Sequence, residues 1–397
     1  MSTESWIKTK LGTVVSTSSG GTPSRSEPSY YSQGTIPWIR SGELEDNIIT
    51  SSELKITKKG LLSSNAKILP AGTLLIAMYG ATIGKMAFLG IAAATNQAVC
   101  SLAPQKGLLA HFLYYFLLYQ RPNLIKKGIG GAQANISQTI LRNLDITIPP
   151  LEIQERIVGK IEELFSDIEH GLETLKQIKE KLAAYRQAVM KSAFDSQTNN
   201  IKKIKELCSV RVGIVIKPAQ YYTDKKTGIR AFRSANVKEF GVQDSDWVYL
   251  NKEGHQANKK SELQQGDILI VRSGYPGTSC VVPPEYAGSN AIDILIARPD
   301  ISKIIPEYLC LFTNSPHGKK LVTKHKRGVA QAHLNVGEYS NLCIPVPSLK
   351  EQYEICSKIG EKLTMCDTID LAINRAILQT STLKQSILKK AFEGDLI

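Results

Sequence analysis

The sequence predicts an α+β protein built twice: two similar mixed α/β blocks separated by two long helices that pair as an antiparallel coiled-coil strut. Three observations carry this. The first is a pseudo-twofold internal repeat at a constant offset of 198 residues. Gly131-Ala132-Gln133-Ala134-Asn135-Ile136 falls on Val329-Ala330-Gln331-Ala332-His333-Leu334, and Pro149, Leu151 and Gln154 fall on Pro347, Leu349 and Gln352. The match runs without a gap through Gln187, Lys191, Ala193 and Phe194 onto Gln385, Lys389, Ala391 and Phe392. Such a period is too long for a solenoid, so the chain is a duplicated module. The second observation is two stretches with apolar residues at steps of three and four. The third is charge, which is concentrated in the segments between those stretches.

In chain order, residues 1–147 form the first block, 148–196 the first long helix, 197–346 the second block and 347–397 the second long helix. In the first block Ile36-Pro37-Trp38-Ile39, Gly72 to Ala77 and Ala98 to Leu102 have the length, composition and flanking turns of short strands, and His111 to Tyr119 reads as a core helix. Pro149-Pro150 stops any earlier helix from running on. From there Ile157, Ile161, Leu164, Ile168, Leu172, Leu175, Ile178, Leu182, Tyr185 and Val189 trace one seam. In the second block Gly266 to Val271 takes the place of the Gly72 strand. Ile229 to Ser234 corresponds to Trp38-Ile39-Arg40-Ser41, and Pro306 to Thr313 to the core helix. The second seam runs Ile355, Ile359, Leu363, Cys366, Ile369, Ile373, Ile377, Thr380, Leu383 and Ile387. Each helix spans about 60 Å at ~1.5 Å per residue, and the simplest cover for each seam is the other copy.

With 397 residues and 42% hydrophobic composition, the chain has enough material for proper cores. Met1 to Lys10 is polar and lacks the apolar stretch of a secretory leader, and no run is long enough to span a bilayer. A cytoplasmic protein without membrane contact is expected. Seven scattered cysteines form no CxxC pair, which predicts buried thiols in a reducing compartment and no metal site. The net charge of +13 is uneven. Lys and Arg against Asp and Glu number 14 to 7 in residues 1–147, 7 to 9 in 148–196, 21 to 13 in 197–346 and 7 to 7 in 347–397. Two basic blocks predict two polyanion-binding surfaces, with nucleic acid the leading candidate.

The motifs that could carry chemistry fail on inspection. Gly80-Ala81-Thr82-Ile83-Gly84-Lys85 has three residues between its glycines where a phosphate loop needs four, and Met86 stands where the magnesium-binding hydroxyl belongs. The turn is either a plain hairpin or a place where backbone approaches a nucleic-acid phosphate. No GxGxxG, GxSxG or HExxH is present, nor an Asn-Pro-Pro-Tyr-type loop for amino methylation. The chain reads as a binding or assembly component, with no catalytic residues.

Taken in order, these segments resemble the specificity subunits of type I restriction–modification systems over essentially the whole length. The resemblance rests on Ile148-Pro149-Pro150-Leu151-Glu152-Ile153-Gln154-Glu155-Arg156-Ile157 and Ile344-Pro345-Val346-Pro347-Ser348-Leu349-Lys350-Glu351-Gln352 at the helix starts. With them go Tyr185 to Phe194 and Leu383 to Gly394 at the ends, and Gly20-Gly21-Thr22-Pro23-Ser24 and Trp38 to Leu44 in the first block. The second block lacks the Gly-Gly-Thr-Pro-Ser run. The resemblance implies two target-recognition domains, each reading one half of a split double-stranded DNA sequence. It implies helices that set the unread spacer and dock two methyltransferase subunits, with two restriction/translocase subunits completing the nuclease. S-adenosylmethionine would be bound by the methyltransferase subunits, and ATP and Mg by the motor-nuclease subunits, so this chain itself carries no cofactor.

Candidate DNA-binding residues in the first block are Arg40, Ser41, Tyr79, Thr82, Lys85, Asn96, Gln97, Gln133 and Asn135. In the second they are Arg233, Ser234, Arg272, Ser273, Tyr275, Asn290, Gln331 and His333. They are cationic or amide side chains, hydroxyls and aromatics beside turns, the groups that contact phosphates and base edges. On the helices Gln154, Arg156, Gln187 and Lys191 are the candidate partner-binding residues. The alternative reading is a scaffold whose two arms bind protein rather than DNA.

Overall fold

The computed structural model describes residues 6–128, 135–194, 200–323 and 333–397. The chain forms two compact units, residues 1–174 with 375–397 and residues 175–374. The long helices are therefore not a body of their own. Each is shared between the units and contributes to both cores.

In the first unit, strand Ile7–Lys10 pairs antiparallel with Asp145–Ile148, Ile7 opposite Ile148, which fastens the block's entry to its exit. A five-stranded sheet follows the order Val15–Ser19, Val99–Pro104, Leu74–Ala77, Met86–Leu89, Asn47–Ile49. Leu74–Ala77 is buried at every position, as the uninterrupted apolar run at its centre requires. Ile36–Ile39 lies in a smaller three-stranded sheet, antiparallel to Lys55–Ile56 and parallel to Ala94–Thr95. The main core gathers Leu74, Ile76, Phe112, Leu113 and Leu117 with Ile157 and Ile161 of the first long helix and Ile387, Leu388 and Ala391 of the second.

The second unit repeats the plan. Ile201–Lys203 pairs with Cys343–Pro345. A four-stranded sheet runs Cys208–Val212, Ile294–Pro299, Ile268–Val271, Ser279–Val281, and another runs Tyr222–Thr223, Val248–Leu250, Ile229–Phe232, Asn290–Ala291. The strand equivalences expected from the sequence hold: Leu74–Ala77 with Ile268–Val271, and Ile36–Ile39 with Ile229–Phe232. The core helices diverge at a proline. Ala110–Gly128 carries Pro122 inside it. In the second block the run breaks into Pro306–Asn314 and Pro316–Thr323. There Ser315 turns extended, and its hydroxyl accepts from the Gly318 N–H at 3.1 Å, capping a new helix.

The long helices cover Leu151–Ser192, 42 residues, and Leu349–Glu393, 45 residues. The second opens with a capping box: the Glu351 carboxylate accepts from the Ser348 N–H at 2.8 Å, and the Ser348 hydroxyl accepts from the Glu351 N–H at 3.3 Å. Within each unit the two helices run antiparallel. Glu169 faces Lys384 at 3.1 Å in the first unit; Lys179 faces Asp370 at 3.8 Å and Arg186 pairs with Asp367 in the second. The seam is buried at Ile157, Ile161 and Val189, and at Ile359, Leu363, Cys366, Ile373 and Ile387. It is not continuous. Ile178, Tyr185 and Leu383, expected on the seam, are 41%, 49% and 50% exposed, because one neighbouring helix covers a narrower stripe than a globular core does.

Five of the seven cysteines are buried, Cys356 is half-buried and Cys343 is exposed, a departure from the expectation of buried thiols throughout. Burial pushes the Cys100, Cys208 and Cys310 thiols up to about 12. Among the described residues no helix is long and apolar enough to cross a membrane, and no group of His, Cys, Asp and Glu could hold a metal ion.

Candidate nucleic-acid interface

In the first block several turns converge beyond the end of the central strand. After strand Val15–Ser19 the chain passes so close to Thr95 that a Cβ at Gly20 would sit 2.0 Å from its carbonyl oxygen, which is why glycine is needed there. The Gly21 N–H donates to the Thr95 carbonyl at 2.9 Å, and the next side chain, Thr22, donates its hydroxyl to the Gln97 amide oxygen. The Tyr79 hydroxyl donates to the Gln97 carbonyl at 2.6 Å, and partial burial raises its phenol above the usual range. Tyr79 also bridges to Asn135, and the Ile136 N–H donates to the Met78 carbonyl at 2.7 Å. The Asn96 N–H donates to the Ile39 carbonyl at 2.9 Å, bringing Arg40 and Ser41 alongside. The Asn96 amide oxygen is buried without a hydrogen-bond partner. Tyr79, Asn96, Gln97 and Asn135 are thus gathered. Thr22, absent from the sequence-derived set, joins them, and a polar cleft of about 600 Å³ opens between Gly21, Thr22, Ser63, Ser64, Asn65 and Gln97.

The cations of the first block are less free than their sequence implies. The Arg40 guanidinium pairs with Glu53 and lies 3.9 Å from Glu43, whose carboxylate also accepts from the Arg40 N–H at 2.8 Å. Lys85 faces Glu45 at 3.6 Å. The Thr82 carbonyl accepts from the Lys85 N–H at 2.9 Å, closing the glycine turn, where Gly80 holds φ at +79°.

The second block has the same frame with other side chains. The Leu334 N–H donates to the Arg272 carbonyl at 2.9 Å, matching Ile136 and Met78, and the turn opens at Gly274 with φ +81°. The Ser273 hydroxyl hydrogen-bonds His333 Nδ1 at 2.5 Å, in the place of the Tyr79–Asn135 pairing. Tyr275, at the turn's tip, is 84% exposed. Ser234, Lys238, Ser273, Tyr275 and Thr278 line one cleft of about 630 Å³. The Arg233 N–H donates to Asn236 Oδ1 at 3.0 Å, and its guanidinium donates to the Asp246 carbonyl.

Two candidates of this block hold the fold instead of facing outward. Arg272 is buried, its Nε donating to the Leu334 carbonyl at 3.0 Å and its Nη1 pairing with Asp293 at 2.5 Å. Asn290 is fully buried; its Oδ1 meets His255 Nδ1 at 2.8 Å and its Nδ2 donates to the Ser261 hydroxyl at 2.8 Å. A base edge cannot reach that amide without dismantling the core. Gln133 and Gln331 lie outside the described residues.

On the helices Arg156, Gln187 and Lys191 are exposed. Gln154 corrects its expected role. It is fully buried, donating from Nε2 to the Gly107 and Pro149 carbonyls, both at 2.8 Å, and accepting at Oε1 from the Leu109 N–H at 2.9 Å. Its repeat mate Gln352 does the same: Nε2 donates to Lys303 and Pro347 carbonyls at 3.1 and 3.0 Å, and Oε1 accepts from the Ile305 N–H at 3.0 Å. The helix ends are equally matched. Phe392 packs on Phe112 and Phe116 with ring centres 5.2 and 5.6 Å away, and Phe194 on Tyr308 and Phe312 at 5.4 and 5.3 Å.

Comparison with known proteins agrees with this duplicated frame. The model of the type I restriction modification DNA specificity domain matches residues 3–180 and again 197–379. The EcoKI type I restriction enzyme specificity subunit of Escherichia coli is 26% identical over 424 aligned residues, spanning 99% of this chain and 89% of that one. Among solved structures, the HsdS subunit from Thermoanaerobacter tengcongensis has the same fold, with TM-score 0.65, 17% identity and coverage of 99% and 98% of the two chains. A chain from a study of complex assembly and conformational transition of the type I R-M system aligns with TM-score 0.77 at 18% identity, covering 99% of each. With both halves matched by one family, the chain belongs to the type I restriction–modification DNA specificity family.

Proposed function

We propose that this chain is the sequence-reading, non-catalytic subunit of a type I restriction–modification complex. Each block reads one half of a split duplex target, and the paired helices set the unread spacer and dock methyltransferase subunits. The observation that carries this is the duplicated frame: two blocks with matching backbone hydrogen bonds present different side chains at the same positions, Tyr79 and Asn135 in one, Ser273 and His333 in the other. Similar mounting with different reading groups is what a two-part target demands.

The excess of Lys and Arg in residues 1–147 and 197–346 supplies sequence-independent attraction to phosphates. Selection then falls to side chains that reach base edges. We assign that work to Tyr79, Asn96, Gln97 and Asn135 in the first block and to Ser234, Ser273, Tyr275 and His333 in the second, with Arg40, Ser41, Thr82, Lys85 and Arg233 as flanking phosphate contacts. Exposed Arg156, Gln187 and Lys191 belong to the surface that meets the methyltransferase subunits. Those subunits bring S-adenosylmethionine and transfer its methyl group to adenine N6, while restriction/translocase subunits bring ATP and Mg. The chain's own part is to bind, orient and space.

Methylome sequencing tests this directly. A host carrying this chain and its cognate methyltransferase subunit is compared with one lacking only this chain. A chain-dependent split motif with N6-methyladenine in both halves is expected. Its absence, with the methyltransferase shown active beside another specificity subunit, would sink the proposal.

A further inference from the structure

The turn that lines the polar cleft of the first block has a counterpart of opposite chemistry in the second. The two turns correspond in one backbone hydrogen bond and one close glycine approach. Gly21 N–H donates to the Thr95 carbonyl at 2.9 Å, and Ile214 N–H donates to the Ala291 carbonyl at 2.8 Å. One residue earlier, a Cβ at Gly20 would meet Thr95 O at 2.0 Å, and a Cβ at Gly213 would meet Ala291 O at 2.3 Å. Thr22-Pro23 therefore corresponds to Val215-Ile216. Thr22 is engaged with Gln97, whereas Val215 and Ile216 are 52% and 80% exposed. Lys217 follows in the left-handed region at φ +43°, a conformation a side-chain-bearing residue adopts only when its surroundings hold it there, and Pro218 then starts a short turn. The exposed pair thus sits directly before a left-handed residue and a proline.

Its position points to what it meets. The Asp293 N–H donates to the Ile214 carbonyl at 2.9 Å, and the Asp293 carboxylate pairs with Arg272, whose neighbour Ser273 bonds His333. The tip thus stands on the same edge as the reading residues of the second block. Lys217, Lys225 and Lys226 follow it closely in sequence, within a segment carrying 21 Lys and Arg against 13 Asp and Glu. An exposed aliphatic pair on the edge of a basic surface fits a polyanion that also offers an apolar feature. Duplex DNA offers one on its base edges, the C5 methyl of thymine in the major groove.

We propose that Val215 and Ile216 form an apolar reading tip that contacts thymine methyl groups in the half-site of the second block. The inference rests on the proposed DNA-reading function, and its test separates the two. The complex with its methyltransferase subunits is titrated with duplexes carrying its own split motif, each thymine of the second half-site replaced in turn by deoxyuridine. That change removes the methyl and leaves the base's hydrogen-bonding groups intact. At one position or more, binding weakens roughly fourfold, the worth of one buried methyl group. In the Val215→Ser, Ile216→Ser variant, which removes the methyl groups of two exposed side chains, the difference between thymine and deoxyuridine disappears there, while the first half-site is read as before. Four outcomes overturn the tip and leave the function standing: a second half-site without thymine, insensitivity at every position, sensitivity that survives the double variant, or a variant impaired only in assembly with methyltransferase subunits. A wild-type complex that does not bind DNA specifically would sink both.

Discussion

Gln154 and Gln352 show what a repeated residue can and cannot reveal. The repeat makes them conspicuous, and a glutamine near the start of a solvent-exposed helix reads as a docking group. Each amide instead satisfies one N–H and one carbonyl of the adjoining block, and the carbonyl of the proline five residues before it. The block residues involved, Gly107 and Leu109 for one and Lys303 and Ile305 for the other, lie more than forty positions upstream, so only the folded chain brings them together. Removing such an amide, fully buried at both positions, leaves three backbone groups without their partner. Gln154→Leu should therefore cost the first unit about 2–4 kcal/mol, read as an earlier urea transition, whereas Gln187→Leu on the exposed helix face should stay within roughly 0.5 kcal/mol of wild type. The cysteines give a second test at this scale. Cys343 is exposed, while burial pushes Cys100, Cys208 and Cys310 up to about 12. Thiolate is the reacting species, so a disulfide reagent added to native protein near neutral pH should titrate one fast thiol, and Cys343→Ser should abolish that phase. Fast reaction of the variant would show that the buried thiols open readily.

At the scale of elements, apolar steps of three and four made both long helices legible, with Pro149-Pro150 before the first and Pro345 and Pro347 before the second; the Ser348 cap is seen only in the folded chain. Strand positions were legible too, because Leu74–Ala77 and Ile268–Val271 are unbroken apolar runs. Sequence could not show how each helix is tied at its ends. The first unit holds the start of one helix through Gln154 and the end of the other through Phe392 on Phe112 and Phe116; the second holds Gln352 and Phe194 in the same way. Phe392→Ala should then cost about 2–3 kcal/mol, the lower range for truncating a partly buried ring. Hydrogen exchange locates the effect: faster exchange is expected in residues 384–393 and in Ala110–Gly128, with the amides of Pro306–Asn314 unchanged. Uniform acceleration across the chain would mean that Phe392 supports more than its own unit.

For the molecule as a whole, the decisive property is that frame and reading groups have separated in the duplication. The frame repeats in its glutamines, its terminal phenylalanines and its paired strands, while the turns proposed to read DNA have diverged from Thr22 and Tyr79 to Val215 and Ser273. Replacing residues 197–346 by the corresponding block of a relative should therefore change one half-site of the methylated motif and leave the other intact. On the proposed function the spacer is set by the helices and should respond to their length alone. Deleting seven residues from the middle of each keeps the apolar seam in phase, because the seam repeats every 3.5 residues. It shortens each helix by about 10.5 Å at ~1.5 Å per residue, close to three base pairs at ~3.4 Å each. A paired deletion should give unchanged half-sites with a spacer shorter by about three base pairs, visible in the methylome. A deletion in one helix only would put its ion pairs and seam out of register with its neighbour, and methylation should be lost. If the paired deletion methylated the original motif at its original spacing, the helices would not be the ruler, and the spacing would have to be set by the methyltransferase subunits.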